Sequence, residues 1–202
     1  KTTYTRATLT TLRAMPQDLA VAQEGLLDAF SKLAGGQDIE IGQTTLDKKL
    51  RFRGASESSV VSLFADDALQ DALQVLNNYS HFSRLKGNEV IVEQRGLMTD
   101  SIDVLVNDAL NIAAVMEAAR VRPWQDAANV LKLSLREQND RLILSGEHRT
   151  HAIEIATDLK QDTTTITLPL SGMPAGLSVT AGSEAAGLTL GDPILDGMVT
   201  VS

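Results

Sequence analysis

A glycine and an aspartate recur at the same spacing near the start and the end of this sequence. Residues 39–54 read IEIGQTTLDKKLRFRG, and residues 188–202 read LTLGDPILDGMVTVS. The recurring residues are Gly42 and Asp47 in the first stretch and Gly191 and Asp196 in the second. Two equivalent carboxylates could bind a cation or serve as general acid and base. We favour a structural role as turn residues, because glycine permits the positive φ of a tight turn and aspartate accepts hydrogen bonds from backbone amides.

Two histidines in the stretch EHRTH, His148 and His151, suggest a metal site. Side chains three positions apart on one strand point to opposite faces, so only a chain reversal at Arg149–Thr150 would bring both imidazoles to one ion. The chain has one further histidine, His81, and no cysteine. We therefore expect a surface role for these histidines and predict no metal ligands and no cofactor-binding residues.

The remaining motifs of enzymes are missing from the sequence. Without cysteine there is no thiolate nucleophile and no disulfide. Neither the G-x-S-x-G elbow nor a glycine-rich nucleotide-binding motif occurs. We therefore predict no catalytic residues and a chain that is not an enzyme; a hydrolase using Asp47, Asp196, Glu147 or His148 is the least favoured alternative.

The charge balance bears on the class of partner. The net charge is −8, whereas a nucleic-acid surface needs an excess of lysine and arginine. The densest basic stretch is Lys48, Lys49, Arg51 and Arg53. Strand alternation places both arginines opposite Leu50 and Phe52, on a face that we expect to be solvated. We predict a protein partner and no nucleic acid; the compartment, cytoplasmic or membrane-associated, is open.

Hydrophobic spacing predicts a mixture of strands and helices in the first part of the chain. Strands are expected at 4–13, 19–23, 38–42 and 46–54, and a hairpin at 81–94 with its turn at 86–88. The stretch 56–78 predicts two short helices, the second capped by an aspartate. A longer helix capped by Thr99 or Asp100 should reach Pro123, with an apolar face at these positions: Ile102, Leu105, Val106, Ala109, Leu110, Ala113 and Met116. The stretch after this boundary, 123–132, could form a short linking helix.

The last third of the chain alternates as strands do. Three segments divided at Asn139–Asp140 and Arg149–Thr150 predict a meander, and a threonine- and glycine-rich run follows. The fold class is therefore α+β: antiparallel sheets, two main helical regions after the first β unit, and a mostly β final third. Pro123 marks the predicted boundary between an α+β unit at 1–122 and a mostly β unit at 123–202.

The second unit resembles a partial copy of residues 3–54. Besides the glycine and aspartate, Met15-Pro16 matches Met173-Pro174, and a threonine-rich strand precedes each pair. The first copy alone carries the insert GLLDAFSKLAGG. Its apolar residues, a possible partner-binding helix face, are Leu26, Leu27, Phe30 and Leu33. We prefer their burial against the sheet, with docking to a partner or membrane surface as the alternative.

The stretch GGQDIEIGQTTLDKKLRFRG, followed by a capped helix and GLMTD, resembles a loosely defined group of bacterial proteins of unknown function. Their pattern is similar to GxQDxQxGDxxFDxxFxVxG with a later GLxTD; this chain has Gln43 and Leu46 where the pattern has Asp and Phe. The resemblance covers most of 20–120 and, more weakly, 140–202. It implies a longer protein, in which any membrane association would come from segments outside this chain, and it implies no activity.

Together these patterns predict a non-enzymatic structural or protein-interaction module of a larger bacterial protein. The alternative is a small-molecule or lipid-binding domain, with a pocket between the sheet and the helices. We also expect the chain to start inside one repeat and to stop inside the next.

Overall fold

The structure, a computed structural model, describes residues 2–23, 38–80, 82–97, 100–148 and 151–167, together with strands at 179–181 and 199–201. Within these residues the fold is mixed α+β with antiparallel sheets, and the part after the last long helix is built from strands, as the sequence predicts.

The described elements follow one another along the chain, with strands and helices numbered separately. In order they are β1 Tyr4–Thr10, β2 Ala20–Gln23, α1 Thr44–Asp47, β3 Leu50–Arg53, α2 Glu57–Phe64, α3 Asp67–Gln74, a 3₁₀ helix Val75–Asn78, β4 Arg84–Lys86, β5 Glu89–Arg95, α4 Ile102–Leu131, β6 Ser134–Gln138, β7 Arg141–His148, β8 His151–Asp158, β9 Thr163–Thr167, β10 Val179–Ala181 and β11 Val199–Val201.

The first five strands form one antiparallel sheet, sheet A, in the order β1-β5-β4-β2-β3. Its inner face packs against the helices. Phe52 and Phe64 meet there edge to face with ring centroids 4.9 Å apart, and both are fully buried. Leu46, Leu73, Ile112 and Met116 are also 0% exposed, so the layer between sheet A and the helices is filled by side chains.

Strands β6 to β9 form a second antiparallel sheet, sheet B, in the order β6-β7-β8-β9, and β10 pairs with β11 in a separate two-stranded sheet. The predicted meander is confirmed. Asn139 and Asp140 both have positive φ, +50° and +58°, which is the backbone of a tight two-residue hairpin turn. The described strands after α4 pair among themselves, in two sheets separate from sheet A.

The two short helices predicted within 56–78 are confirmed as α2 and α3. Ser56 caps α2 by accepting from the amide of Ser59 at 3.3 Å, and Asp66 caps α3 by accepting from Leu69 at 3.1 Å. The predicted 81–94 hairpin is likewise present as β4 and β5, with Gly87 at φ +54° in its turn. Local cap and turn chemistry was sufficient for these elements.

Two predicted strands of the first β unit are wrong in detail. The stretch 38–42 contributes a single bridge, Ile39 to Phe52, and residues 44–47 form the short helix α1 before β3 begins at Leu50. The side chain of Gln43 caps α1 by accepting from Thr45 and Leu46. This capping satisfies backbone amides of the first helical turn. The alternation of apolar and polar residues, on which the strand prediction rested, does not indicate such a turn.

The long helix α4 continues past Pro123 to Leu131, so the helix end predicted at Pro123 is wrong. Its N-cap position is Ser101, one residue after Asp100 and two after Thr99, the two predicted caps. Proline removes one backbone hydrogen bond from a helix interior, but Pro123 is exposed and the buried residues Val121 and Ala128 anchor the helix on both sides of it. The predicted division between 122 and 123 therefore falls inside a helix.

Only part of the predicted apolar face of α4 is buried against the rest of the protein. Leu105, Ala109 and Met116 are buried, whereas Ile102 and Leu110 are 50% and 48% exposed.

A hydrogen bond connects the segment before β4 to α4: Tyr79 donates to Asp108 of α4 at 2.5 Å. Burial and then this hydrogen bond raise the pKa of Tyr79 to about 12, so the phenol stays protonated and keeps its donor at neutral pH.

Candidate functional site

Gly42 and Asp47 lie at the turn that leads into α1. Gly42 has φ +81°, a backbone conformation that favours glycine. The Asp47 carboxylate accepts from the amide of Ile41 at 3.1 Å, and its backbone carbonyl accepts from Arg51 at 2.8 Å. The carboxylate thus links the last residue of α1 to the backbone just before the turn. Gly191 and Asp196 lie outside the described residues.

His148 and His151 face one another across the end of the β7–β8 hairpin, where the register pairs them directly. Arg149 and Thr150, where the sequence suggests a chain reversal, lie outside the described residues. Among the described residues, no group of three or more histidine, aspartate or glutamate side chains could hold a metal ion.

The predicted partner-binding helix of the insert also lies outside the described residues. Its apolar residues are Leu26, Leu27, Phe30 and Leu33.

The outer face of sheet A, on the side away from the helices, gathers charged side chains from strands that are distant in sequence. The strand register places Arg6 opposite Glu93 and Tyr4 opposite Arg95. On the next pair of strands, Arg84 lies opposite Ile91 and Lys86 opposite Glu89. Strands β2 and β3 continue this face with the following residues: Ala20, Ala22, Arg51 and Arg53.

We expected Arg51 and Arg53 to be solvated, and this is wrong for Arg53. Their placement opposite Leu50 and Phe52 is confirmed, since both of these apolar residues are buried. The Arg53 side chain, however, is only 14% exposed and donates to Asp38 at 3.0 Å. The β3 end of the outer face is therefore largely covered and paired, and the β1 end is the more open part.

Glu93 of β5 lies in the middle of the more open β1 end of the outer face. Its side chain is 3% exposed, and Arg6 pairs with it through Nε at 2.6 Å and a terminal nitrogen at 2.5 Å. The backbone of Glu93 is held separately, because its amide bonds to Ser83 Oγ at 2.9 Å and its carbonyl accepts from Ser80 at 2.8 Å. A buried carboxylate is thereby fixed beneath a half-exposed guanidinium.

A hollow of about 470 Å³ opens above this ion pair. It is lined by Tyr4, Arg6, Phe82 and Glu93, and the two rings meet edge to face with centroids 5.6 Å apart. The hollow thus combines aromatic edges with a partly exposed cation, which is chemistry suited to a side chain or short peptide segment of a partner.

The strand register places more cations than carboxylates on this part of the face. Burial lowers the pKa of Arg84 most strongly; repulsion from Arg6 lowers it further, and Glu93 and Glu89 raise it in part. The carboxylates already present therefore only partly offset the desolvation of Arg84 and its repulsion by Arg6. An approaching anionic group would be favoured here, although the whole chain is acidic at −8.

Sequence reasoning missed this surface because its key pair is separated by 87 positions, from Arg6 to Glu93. Alternation did indicate which residues of one strand share a face, but the pairing of β1 with β5 requires the strand order. One usable signal was present: two arginines alternate with apolar residues in LRFRG, and a single arginine lies between small residues in YTRATL.

No family model, no curated protein and no solved structure matches this chain. Within the described residues, no helix has both the length and the apolar character that crossing a bilayer requires.

We predict that Glu93→Ala lowers the free energy of unfolding by roughly 1–3 kcal/mol, because it leaves Arg6 and Arg84 close together without the buried carboxylate between them. The matched control is Glu154→Ala, which removes an Arg–Glu pair of sheet B whose side chains are 59% and 47% exposed. That change should cost no more than about 0.5 kcal/mol. Urea unfolding of both variants gives the comparison, and equal losses would show that Glu93 has no special role.

Proposed function

We propose that this chain is a non-enzymatic structural or protein-interaction module of a larger bacterial protein, and that it uses one β unit twice. The bacterial context rests on the resemblance of residues 35–54 and 96–100 to the group described above. The outer face of sheet A is the surface through which the module contacts its partner.

The observation that carries this proposal is the register of two strand pairs. In the first copy, Val21 pairs with Phe52, Ala22 with Arg51 and Gln23 with Leu50. In the second, the paired residues are Val179 with Val201, Thr180 with Thr200, and Ala181 with Val199.

The sequence alignment of the two copies relates these same pairs. Matching Met15 to Met173 equates Val21 with Val179, and matching Asp47 to Asp196 equates Phe52 with Val201. β9, at 163–167, likewise falls on residues 5–9 of β1. Pairing was not used in making the alignment, and a slip of one residue would have destroyed the agreement. The agreement therefore supports duplication over chance similarity.

A duplicated β unit is more typical of structural and binding arrays than of a catalytic site, because stacked or serial copies extend one surface. The small-molecule or lipid-binding alternative has less support, since the layer between sheet A and the helices is filled by fully buried side chains such as Phe64 and Ile112. A ligand there would have to displace the core.

The duplication can be tested by cross-linking, because the chain has no cysteine of its own. We expect Val179→Cys with Val201→Cys to form a disulfide under mild oxidation, since paired strand residues lie within the reach of such a bond. The pair Val179→Cys with Val199→Cys, shifted by two residues, is the control. Preferential oxidation of the shifted pair, measured by electrophoresis and mass spectrometry, would contradict the shared register.

The interaction role can be tested with a single photo-crosslinker. A benzophenone maleimide on Arg95→Cys, at the exposed end of the outer face, should give a discrete protein adduct in an extract of the source bacterium. The same label on Asn129→Cys, exposed on α4 away from sheet A, is the control and should not give that adduct. A lack of any specific adduct from the outer face would contradict the proposed role.

A further inference from the structure

Strand β1 is an edge strand with seven residues, and among the described residues its one strand neighbour is β5. The opposite edge of sheet A, at β3, is partly paired. There the amide of Ile39 donates to the carbonyl of Phe52 at 2.9 Å. Exposed edges of this length are normally shielded by proline, bulges or inward charges, since they offer unpaired backbone groups to another strand.

The hydrogen bonds that flank β1 show which of its backbone groups face this edge. Thr3 accepts from Gly96 at 2.8 Å and Thr11 donates to Asn88 at 2.9 Å, so the odd-numbered residues bond to β5. In an antiparallel ladder the alternate residues point their amides and carbonyls the other way. The even-numbered residues Arg6 and Thr8 therefore present their backbone groups to the open side.

The same even-numbered residues carry side chains on the outer face of sheet A. A strand added beside β1 would thus place every second side chain next to Tyr4, Arg6 and Thr8, at the rim of the 470 Å³ hollow. Across β1, β5 and β4 this face holds four cations against two carboxylates. Its cations are Arg6, Arg84, Lys86 and Arg95, and its carboxylates are Glu89 and Glu93.

We propose that β1 binds an extended acidic segment of a partner protein by strand addition, with carboxylates of that segment paired to Arg6 and its neighbouring cations. Main-chain hydrogen bonds to Arg6, Thr8 and Thr10 supply general affinity, and the charged outer face selects acidic side chains. This inference rests on the proposed interaction role and names its partner chemistry.

The test uses the whole chain and a labelled nine-residue peptide in which glutamate and valine alternate. We expect saturable binding by fluorescence anisotropy. Amide exchange should slow at Arg6, Thr8 and Thr10 in the complex, whereas Ala7 and Leu9 are bonded to β5 already in the free protein. The same peptide with lysine in place of glutamate should bind at least about tenfold more weakly, because it meets like charges.

Two variants separate strand addition from simple charge attraction. Thr8→Pro removes one outward amide without touching the ladder to β5, and should weaken binding about tenfold or more. Thr8→Val keeps that amide and should bind like the unmodified chain. Arg6→Glu should also weaken binding about tenfold or more, whereas Arg136→Glu, an exposed arginine of sheet B, should change it less than about twofold.

Several outcomes would overturn the inference. These are no saturable binding below about 1 mM peptide, unchanged binding by Thr8→Pro, or unchanged binding of a peptide methylated at alternate amides. Binding to vesicles containing phosphatidylglycerol that depends on Arg6 but not on the Thr8 amide would instead identify an anionic lipid surface. Circular dichroism checks that each variant is folded. If the Arg95→Cys adduct forms while the peptide does not bind, the interaction role stands and strand addition fails.

Discussion

The continuous helix α4 fixes the position of both sheets, because its two halves are buried against different ones. Ile112 and Met116 belong to the core under sheet A, whereas Val121 and Ala128 contact the cores of sheet B. A helix of 30 residues is about 45 Å long, which is enough to serve two cores in series. Any change that broke it near Pro123 would uncouple the two sheets.

Charged contacts at the middle of α4 reinforce this arrangement. Arg13, in the loop after β1, pairs with Glu117 of α4 and with Glu137 of β6, and Glu137 is the main cause of its raised pKa. Arg120 pairs with Asp162 before β9, and Arg122 pairs with the capping residue Asp66. Partly exposed pairs of this kind are individually weak, so the burial of α4 against the two sheets makes the larger contribution.

The elements that the sequence predicted correctly are those whose signals are local. Caps at Ser56 and Asp66, the turn at Asn139–Asp140 and the alternation of β3 each depend on a few neighbouring residues. Pro123 misled the prediction because the burial of residues on both sides of it offsets one missing hydrogen bond.

The candidate surface could be predicted only in part for a related reason. The arginines of β3 were visible as alternating residues, yet the ion pair of Arg6 with Glu93 depends on a strand order that no single segment encodes. The exposed positions Ile102 and Leu110 show the converse, since apolar spacing predicts a face but not how much of it a neighbour covers.

Because α4 is buried against both sheets, the two sheets should unfold as one cooperative unit, and the single tryptophan can report this unfolding. Trp124 packs against the clusters of sheet B, so its fluorescence reports that half of the molecule. Amide exchange at Val90 and Val92 of β5, measured across the same urea series, reports sheet A. We expect coincident unfolding transitions for the two probes. Separate transitions, with Trp124 released while β5 stays protected, would contradict it.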